Sequence, residues 1–460
     1  MEPSGRRPTA TKFTSAYARG KIDNIMKTKI NPLACIILAA GKGERMKSAT
    51  PKVLHQICGR PMLHYVLDVV SSLKPKEMVC VLGHQHEQVA KALPKTIKAV
   101  LQRKQLGTAD AVKSGLSGLK SFKGTVLVLC ADTPLLKKET LGKLIKYHTE
   151  NACAATILTV LLVKPAGYGR ILRDRYNSIF GIIEEKDADD FQKEIKEINT
   201  GIICFDKDKL IKALAKVRPN NRKKEYYLTD VISILSSQEE RIEGVCIEDV
   251  DETMGINSRV ELAKANSVMQ RRINEKLMRE GVSIVDPATA FINYGTKIGP
   301  DSVIYPFTVI DNDVIIAKRC FVGPFAHLRE GARLEDEVIL GNFTEIARSK
   351  IGSRTIAKHF CYVGDSRVGR QANIGAGVVT ANFDGTSKHS TLIKDNAFIG
   401  SDTILVAPVV IGKYAKTGAG SVVTSRQNVK DGQVVVGIPA RPLVNKNQPK
   451  TTPALRRGLR

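Results

Sequence analysis

Tryptophan is missing altogether from this 460-residue sequence, and Phe, Tyr and Trp together supply only 5% of it. An aromatic-rich sandwich is therefore disfavoured, and the 36 glycines and plentiful aliphatics favour parallel-sheet or repeat architecture. Long apolar runs are scarce as well. The two longest, 33–40 and 152–163, fall short of the ~20 residues that a membrane span needs, so no membrane association is expected. No Cys-x-x-Cys pair occurs among the nine cysteines, most of which sit in apolar runs such as Val79-Cys80-Val81. A disulfide framework or a zinc knuckle is thus not expected, and a reducing cytoplasm is the expected location. At roughly 100–200 residues per domain the length suits two to four domains.

Acidic residues are also few, 46 against 71 Lys and Arg, for a net charge of +25. Residues 1–31 hold seven basic residues against two acids and residues 441–460 hold six against none, so the ends carry eleven of that excess. Both ends lack apolar periodicity and read as disordered extensions, 1–32 and 441–460. The N-terminal one has no apolar stretch of a secretory signal, and translation could begin at Met1 or at Met26. The remaining charge is diffuse and suits anionic small substrates. No nucleic-acid-reading motif or aromatic-studded basic stripe appears, so no specific nucleic-acid partner is expected.

Two rhythms divide the chain. From residue 33 to about 250, short apolar strands (35–39, 78–82, 99–101, 125–129, 154–163 and 202–205) alternate with helical stretches such as 61–72 and 86–92. That alternation predicts a Rossmann-like α/β unit: a mostly parallel sheet covered by helices, with ligands at the strands' carboxyl ends. A helix over 258–280, with Val260, Ala263, Met269, Ile273 and Leu277 at helical spacing and Gly281 as its stop, reads as the connector. From Ile298 an aliphatic recurs at every sixth residue through Ile346; the phase slips by one at Ile351 and again at Val368. It resumes at Ile393 after an insert, 382–392. A period of six fits neither a helix nor simple alternation. It fits a parallel β-helix whose aliphatics stack inside. The expected units are thus 33–257, a connector at 258–281 and a hexapeptide β-helix at 282–440.

Ordered motifs lie in the first unit. The first strand runs into Leu38-Ala39-Ala40-Gly41-Lys42-Gly43-Glu44-Arg45, followed by Pro51-Lys52. A Gly-rich turn after a strand lets backbone N–H groups approach phosphates, and Arg45 and Lys52 add charge, although Gly-x-Gly alone can be a plain tight turn. It is neither the dinucleotide fingerprint nor a P-loop. Then come Gln102 with Gln105-Leu106-Gly107-Thr108-Ala109, Asp132-Thr133-Pro134, Gly167-Tyr168-Gly169-Arg170, Glu184-Glu185-Lys186, Asn199-Thr200-Gly201 and Glu225-Tyr226-Tyr227-Leu228-Thr229-Asp230.

This series resembles the signature of sugar-phosphate nucleotidyltransferases. With the hexapeptide domain behind it, residues 33–440 resemble the bifunctional N-acetylglucosamine-1-phosphate uridyltransferase/glucosamine-1-phosphate acetyltransferase family, with a left-handed β-helix. The resemblance implies a UTP site of Leu38, Ala39, Ala40, Gly41, Lys52, Gln102, Gly107 and Thr108, of which Gln102, Gly107 and Thr108 form the pocket for the uracil base, with Lys52 and Arg45 catalytic. It implies a sugar-phosphate site of Asp132, Gly169, Glu184, Asn199 and Asn257, and Asp132 with Asn257 as Mg²⁺ ligands, hard oxygen donors that suit that ion. Without the resemblance, Asp132 reads as a turn residue and Asn257 as the cap of the following helix.

For the β-helix the resemblance implies His359 as general base, a role an imidazole can fill near neutral pH. It implies Arg329, Tyr362, Asn373, Asn382, Phe383 and Lys388 at the amino-sugar phosphate, and Ala376, Ser401 and Ala419 at acetyl-CoA. A homotrimer is implied too. The sequence departs from the family at Ala347, where a phosphate-binding Lys is usual (Arg348 is adjacent), at Phe383 in place of Tyr, in the missing Arg near residues 437–442, and in fewer early coils. The leading reading is a bifunctional enzyme acting on UTP, N-acetylglucosamine 1-phosphate, glucosamine 1-phosphate and acetyl-CoA. Two others stay open: a single-activity uridylyltransferase whose β-helix is a scaffold or takes another acyl acceptor, and a non-catalytic basic scaffold.

Overall fold

The computed structural model describes residues 31–443; the basic ends, except for residues 31–32 and 441–443, lie outside the described residues. Two compact units are present among the described residues, one of 31–55 and 62–261, the other of 56–61 and 262–443.

In the first unit Ala34, Cys35, Ile36 and Ile37 are all fully buried, as a strand covered on both faces requires. The strand Leu33–Ala39 pairs in parallel with Glu77–Leu82 on one side and Thr125–Cys130 on the other, and Lys98–Leu101 extends the parallel edge. On the far side the sheet is not parallel throughout. Glu197–Asp206 runs antiparallel between Thr125–Cys130 and Ala155–Leu161, and Ile242–Ile247 forms the far edge. Apolar patterning marks only 202–205 of that strand. Its first half carries Glu197, Asn199 and Thr200, and the register slips between Asn199 and Ile203, with Gly201 at φ 78. Apolar patterning is silent across such a bulge. The hairpin Gly169–Arg173 with Ile179–Ile183 hangs from the same strand and was also not anticipated.

In the second unit the hexads fold as expected into three parallel sheets. Residues eighteen apart stack: Ile304 pairs with Val322 and Val322 with Leu340, and each is buried. Each one-residue slip shortens a turn of the coil without moving the inward position, since Leu340 still pairs with the Ile339–Ile356 neighbour Ala357 and Ile351 with Val368. The slips fall beside corners at Arg348 and Asp365, both left-handed at φ 48 and φ 47. This unit is a left-handed β-helix of hexapeptide repeats. Thr417 occupies an aliphatic position without penalty because its hydroxyl meets Thr403 Oγ1 at 2.9 Å and accepts from Gly400 N at 2.9 Å.

The helix predicted over 258–280 spans Arg259–Arg279, and of its expected inward residues Met269 and Leu277 are buried and Ile273 packs on the core, whereas its first turn departs from expectation. Val260 is 66% exposed and Ala263 is exposed as well, whereas Ala265, Val268, Gln270 and Asn274 are buried. The two amides go inward because the first coil leaves carbonyls to satisfy. Asn274 Nδ2 donates to Pro287 O (2.9 Å) and Ala290 O (3.0 Å), and Gln270 Nε2 donates to Ile292 O (3.1 Å). A reading by apolar spacing could not see this. Asn274→Ala is expected to cost about 2–3 kcal/mol, the penalty for orphaning buried carbonyls, seen as a lowered thermal midpoint; an unchanged midpoint would refute that role. The hairpin Gln56–Ile57/Arg60–Pro61 also belongs to this unit. Its turn places Cys58 and Gly59 at positive φ, Gly59 O accepts from Asn312 Nδ2 at 2.6 Å, and Arg60 lies over the Tyr294 ring at 4.3 Å.

Candidate active sites

At the carboxyl ends of the parallel strands lies a cavity of about 450 Å³. Leu38, Ala39, Ala40, Gly41, Lys52, Gln102, Gly107, Thr108 and Asp132 all line it. Two turns of three residues, Glu44–Met46 and Lys52–Leu54, carry the chain around its mouth. Gly43 is needed here: it sits at φ 65, and a Cβ on it would come within 2.7 Å of Lys52 Cβ. Gly107, at φ 125, lets the backbone dock on 226–228, where Tyr226 N donates to Leu106 O (2.8 Å) and Leu228 N to Thr108 Oγ1 (2.8 Å).

Lys52 Nζ bonds to Asp132 Oδ2 and, at 3.1 Å, to Asn257 Oδ1. Both side chains of the ion pair are largely shielded. A backbone bond from Ile256 N to Asp132 O (2.9 Å) brings Asn257 beside Asp132. Asn257 is not the helix cap. Ser258 is: its Oγ accepts from Glu261 N (3.3 Å), while Glu261 Oε2 accepts from both Ser258 N and Asn257 N (2.7 Å each). The capping box was readable as Ser-x-x-Glu, and it frees the Asn257 side chain to face the cavity lysine. The amide and carboxylate oxygens converge on a cation, so their chemistry fits a hard divalent ion.

The expected sugar residues gather next to this cavity. Gly169 pairs with Asn199 across the bulged strand, and a Cβ on Gly169 would lie 3.5 Å from Glu184 Oε2. Burial pushes the Glu184 carboxyl up, partly offset by the Thr229 hydroxyl, which donates to it at 3.2 Å. Cys130 links the two regions: it lines the cavity, a Cβ on Gly201 would lie 3.8 Å from its sulfur, and burial with Asp132 and Glu184 nearby raises the thiol to about 12. Arg45 is different. It is exposed on the Glu44–Met46 turn and is not among the residues lining the cavity. Gln105, Glu225 and Cys130 line the cavity as well, the first two from within the sequence motifs but not among the expected site residues.

In the β-helix His359 is exposed at a corner between two sheets. Ala376, Ser401 and Ala419 climb that same corner coil by coil, with Asp402 N bonded to Ala376 O (2.7 Å) and Gly420 N to Ser401 O (2.8 Å). Along the adjoining sheet, Tyr362 pairs with Glu345, which holds Arg329 at 3.0 Å. Asn382 Nδ2 donates to Asp365 Oδ2 and lies 3.4 Å from the Tyr362 hydroxyl. Asn373 occupies the neighbouring sheet between Ile356 and Phe398. The insert is closed by a bridge of Phe383 to Lys388, and the Asp384 carboxylate accepts from Thr386 N (2.9 Å) and Ser387 N (2.7 Å). Those bonds and His389 hold its carboxyl well below the usual range.

The family description of a MobA-like NTP transferase domain matches residues 35–188, and that of the bacterial transferase hexapeptide (six repeats) matches 390–425. A "Bifunctional protein GlmU" of Thermosipho africanus (strain TCF52B) is 45% identical across 85% of this chain and 91% of its own length. Those of Shouchella clausii (strain KSM-K16) and Lactococcus lactis subsp. cremoris (strain SK11) are each 43% identical, across 85% and 87% of this chain and 93% and 94% of theirs. The chain belongs to the bifunctional GlmU family. Both halves of a GlmU protein are therefore present, nucleotidyltransferase and hexapeptide transferase alike.

The departures from the GlmU pattern have a structural setting. Ala347 is fully buried where its strand reaches the corner. The neighbouring cation, Arg348, is held by Asp365 through Nε (2.7 Å) and Nη2 (2.8 Å), the carboxylate that also takes Asn382. A guanidinium thus stands one residue from the missing ammonium, tied to the same side-chain group as Tyr362 and Asn382. The Arg348 pairing holds the Asp365 carboxyl below its ordinary range.

Proposed function

We propose that the first unit transfers UMP from UTP to N-acetylglucosamine 1-phosphate, and that the β-helix acetylates glucosamine 1-phosphate with acetyl-CoA. The observation that carries the first half is the meeting of Lys52, Gln102 and Asp132 around one cavity at the strand ends. A phosphate oxygen of the sugar phosphate, already anionic, attacks the α-phosphorus of UTP; the α–β bridging P–O bond breaks and pyrophosphate leaves. No general base is needed, so catalysis is alignment and charge neutralisation. Lys52 neutralises phosphate charge, Gly41 lets the backbone approach, and Glu184 and Asn199 accept from sugar hydroxyls. Asp132 and Asn257 would hold Mg²⁺, which when bound supplies further positive charge to the phosphates. The exposed Arg45 would act only by reaching inward over the mouth.

In the second half the amine of glucosamine 1-phosphate attacks the thioester carbonyl, His359 takes the amine's proton, and the coenzyme A thiolate departs and is protonated. Arg329 and Lys388 hold the phosphate, with Arg348 near the position of the missing lysine. Tyr362, Asn373, Asn382 and Phe383 line the sugar, and the Ala376–Ser401–Ala419 corner takes acetyl-CoA. Assembly as a homotrimer is part of the proposal. An exposed ladder of stacked rings supports it, Phe307 on Phe325 at 5.0 Å and Phe325 on Phe343 at 5.1 Å, because exposed aromatic stripes of this kind are normally covered by a partner. No helix among the described residues is long and apolar enough to cross a membrane. Nothing observed favours a β-helix that is only a scaffold.

Two assays on one preparation test the whole proposal: pyrophosphate released from UTP with N-acetylglucosamine 1-phosphate and Mg²⁺, and coenzyme A released from acetyl-CoA with glucosamine 1-phosphate. Silence in either removes that half. A third check concerns Arg170, 1% exposed, whose guanidinium donates to Glu185 Oε2 (2.6 Å), to Lys193 O and to Tyr168 O. It clamps the strand that carries Gly169 to the segment after Ile183 that carries Glu184 and Glu185. Arg170→Met is expected to raise the KM for the sugar phosphate about tenfold, the loss of roughly 1.4 kcal/mol of positioning, with the KM for UTP little changed. Equal rises in both would mean general damage.

A further inference from the structure

Gln102 has its amide orientation imposed on it. The strand end that carries it is fixed by a backbone bond from Gln102 N to Leu82 O at 2.8 Å, and the side chain is buried at 3% exposure on the cavity wall. Its Nε2 faces two groups, the carbonyl oxygen of Gly107 at 3.2 Å and Asp110 Oδ2 at 2.8 Å. A carbonyl and a carboxylate can only accept. The amino end of the amide must therefore point at them, and both its hydrogens are used. Oε1 makes no hydrogen bond among the described residues, so the group offered to a ligand in the cavity is an acceptor alone.

We propose that Asp110, which nothing above places in the site, is a specificity-determining positioning residue: it locks Gln102 so that the base pocket accepts a nucleobase carrying hydrogen on its ring nitrogen. This rests on the uridylyl-transfer reading. Uracil presents N3–H between two carbonyls and can donate to Oε1. Cytosine presents an unprotonated N3, and its lone pair would face that oxygen. An amide free to rotate would answer either base; the carboxylate removes the choice. Asp110 lies in the first turn of the helix Thr108–Leu116, where the helix dipole favours a negative side chain, so the lock is held by the same helix whose start forms the pocket.

The test measures kcat/KM for UTP, CTP and dTTP, with N-acetylglucosamine 1-phosphate and Mg²⁺ saturating, on the full chain and its variants. In Asp110→Asn the new amide can donate as well as accept, so the shorter, charge-assisted contact at 2.8 Å no longer dictates the orientation and only the longer bond to Gly107 O at 3.2 Å still opposes turning. The UTP-to-CTP ratio is expected to fall at least tenfold, with the gain on CTP accounting for part of it. The UTP-to-dTTP ratio should not move, since thymine offers the same N3–H. Asp110→Glu, which keeps an acceptor-only group, should retain most of the UTP-to-CTP ratio. Should Asp110→Asn fail to fold, Asp110→Ser carries the same expectation. An unchanged UTP-to-CTP ratio, whether or not all rates drop together, overturns the role given to Asp110. A parent protein that releases no pyrophosphate from UTP overturns the functional reading itself, and the two failures are told apart by the parent alone.

Discussion

Replacing Asp132 with alanine is expected to lower UTP-dependent pyrophosphate release by about a thousandfold or more, near 4 kcal/mol of transition-state stabilisation, while coenzyme A release stays within twofold of the parent. The carboxylate stands where the Thr125–Cys130 strand opens onto the cavity and pairs directly with Lys52. Its removal leaves Asn257 as Lys52's remaining oxygen partner and takes away one of two proposed donors to the divalent ion. The fold should survive, because the bond that joins this segment to Asn257 runs from Ile256 N to the Asp132 backbone oxygen, which alanine retains. Asp132→Asn keeps an oxygen but loses the charge, and should fall between the two. Undiminished turnover in Asp132→Ala would remove the ion assignment, and a matching loss of acetyl transfer would point to misfolding.

His359→Ala should have the converse effect, reducing coenzyme A release by about 10²- to 10⁴-fold, the usual weight of a positioned general base, with pyrophosphate release unaffected. The imidazole is exposed at its corner, so truncation removes no core packing and the thermal midpoint should hold. Exogenous imidazole should restore part of the lost rate if the defect is proton transfer. Acetyl transfer that continues at the parent rate would sink the assignment and leave the corner ladder of Ala376, Ser401 and Ala419 without its chemistry.

Some of the errors made from sequence are as informative as the successes. Asn257 looked like a cap because it precedes a helix, yet Ser258 with Glu261 is the better capping pair and takes that place. Val260 and Ala263 looked like core because they are apolar at helical spacing, yet two amides, Gln270 and Asn274, occupy the buried face. Apolar patterning assumes that burial follows hydrophobicity. It fails where backbone carbonyls of another segment need donors, and it fails again along Glu197–Asp206, where polar residues open the strand and a bulge between Asn199 and Ile203 shifts its register. Arg170 escaped notice as a positioning residue for a similar reason, since a fully buried arginine is explained only by the carboxylate and carbonyls that surround it.

The hexapeptide domain was determined by sequence alone, because each inward aliphatic meets its like one coil away and the rule repeats locally whatever the rest of the chain does. The motifs likewise pointed to the Gly-rich turn, to Lys52 and to Asp132 as chemistry-bearing residues. Their convergence was decided only in three dimensions: Lys52 lies 80 positions from Asp132 and 205 from Asn257, and strand order together with one backbone bond brings them within reach. The direction in which Gln102 turns its amide was decided there too, since a hydrogen-bonding group that can either give or accept is settled by its neighbours and not by its own identity.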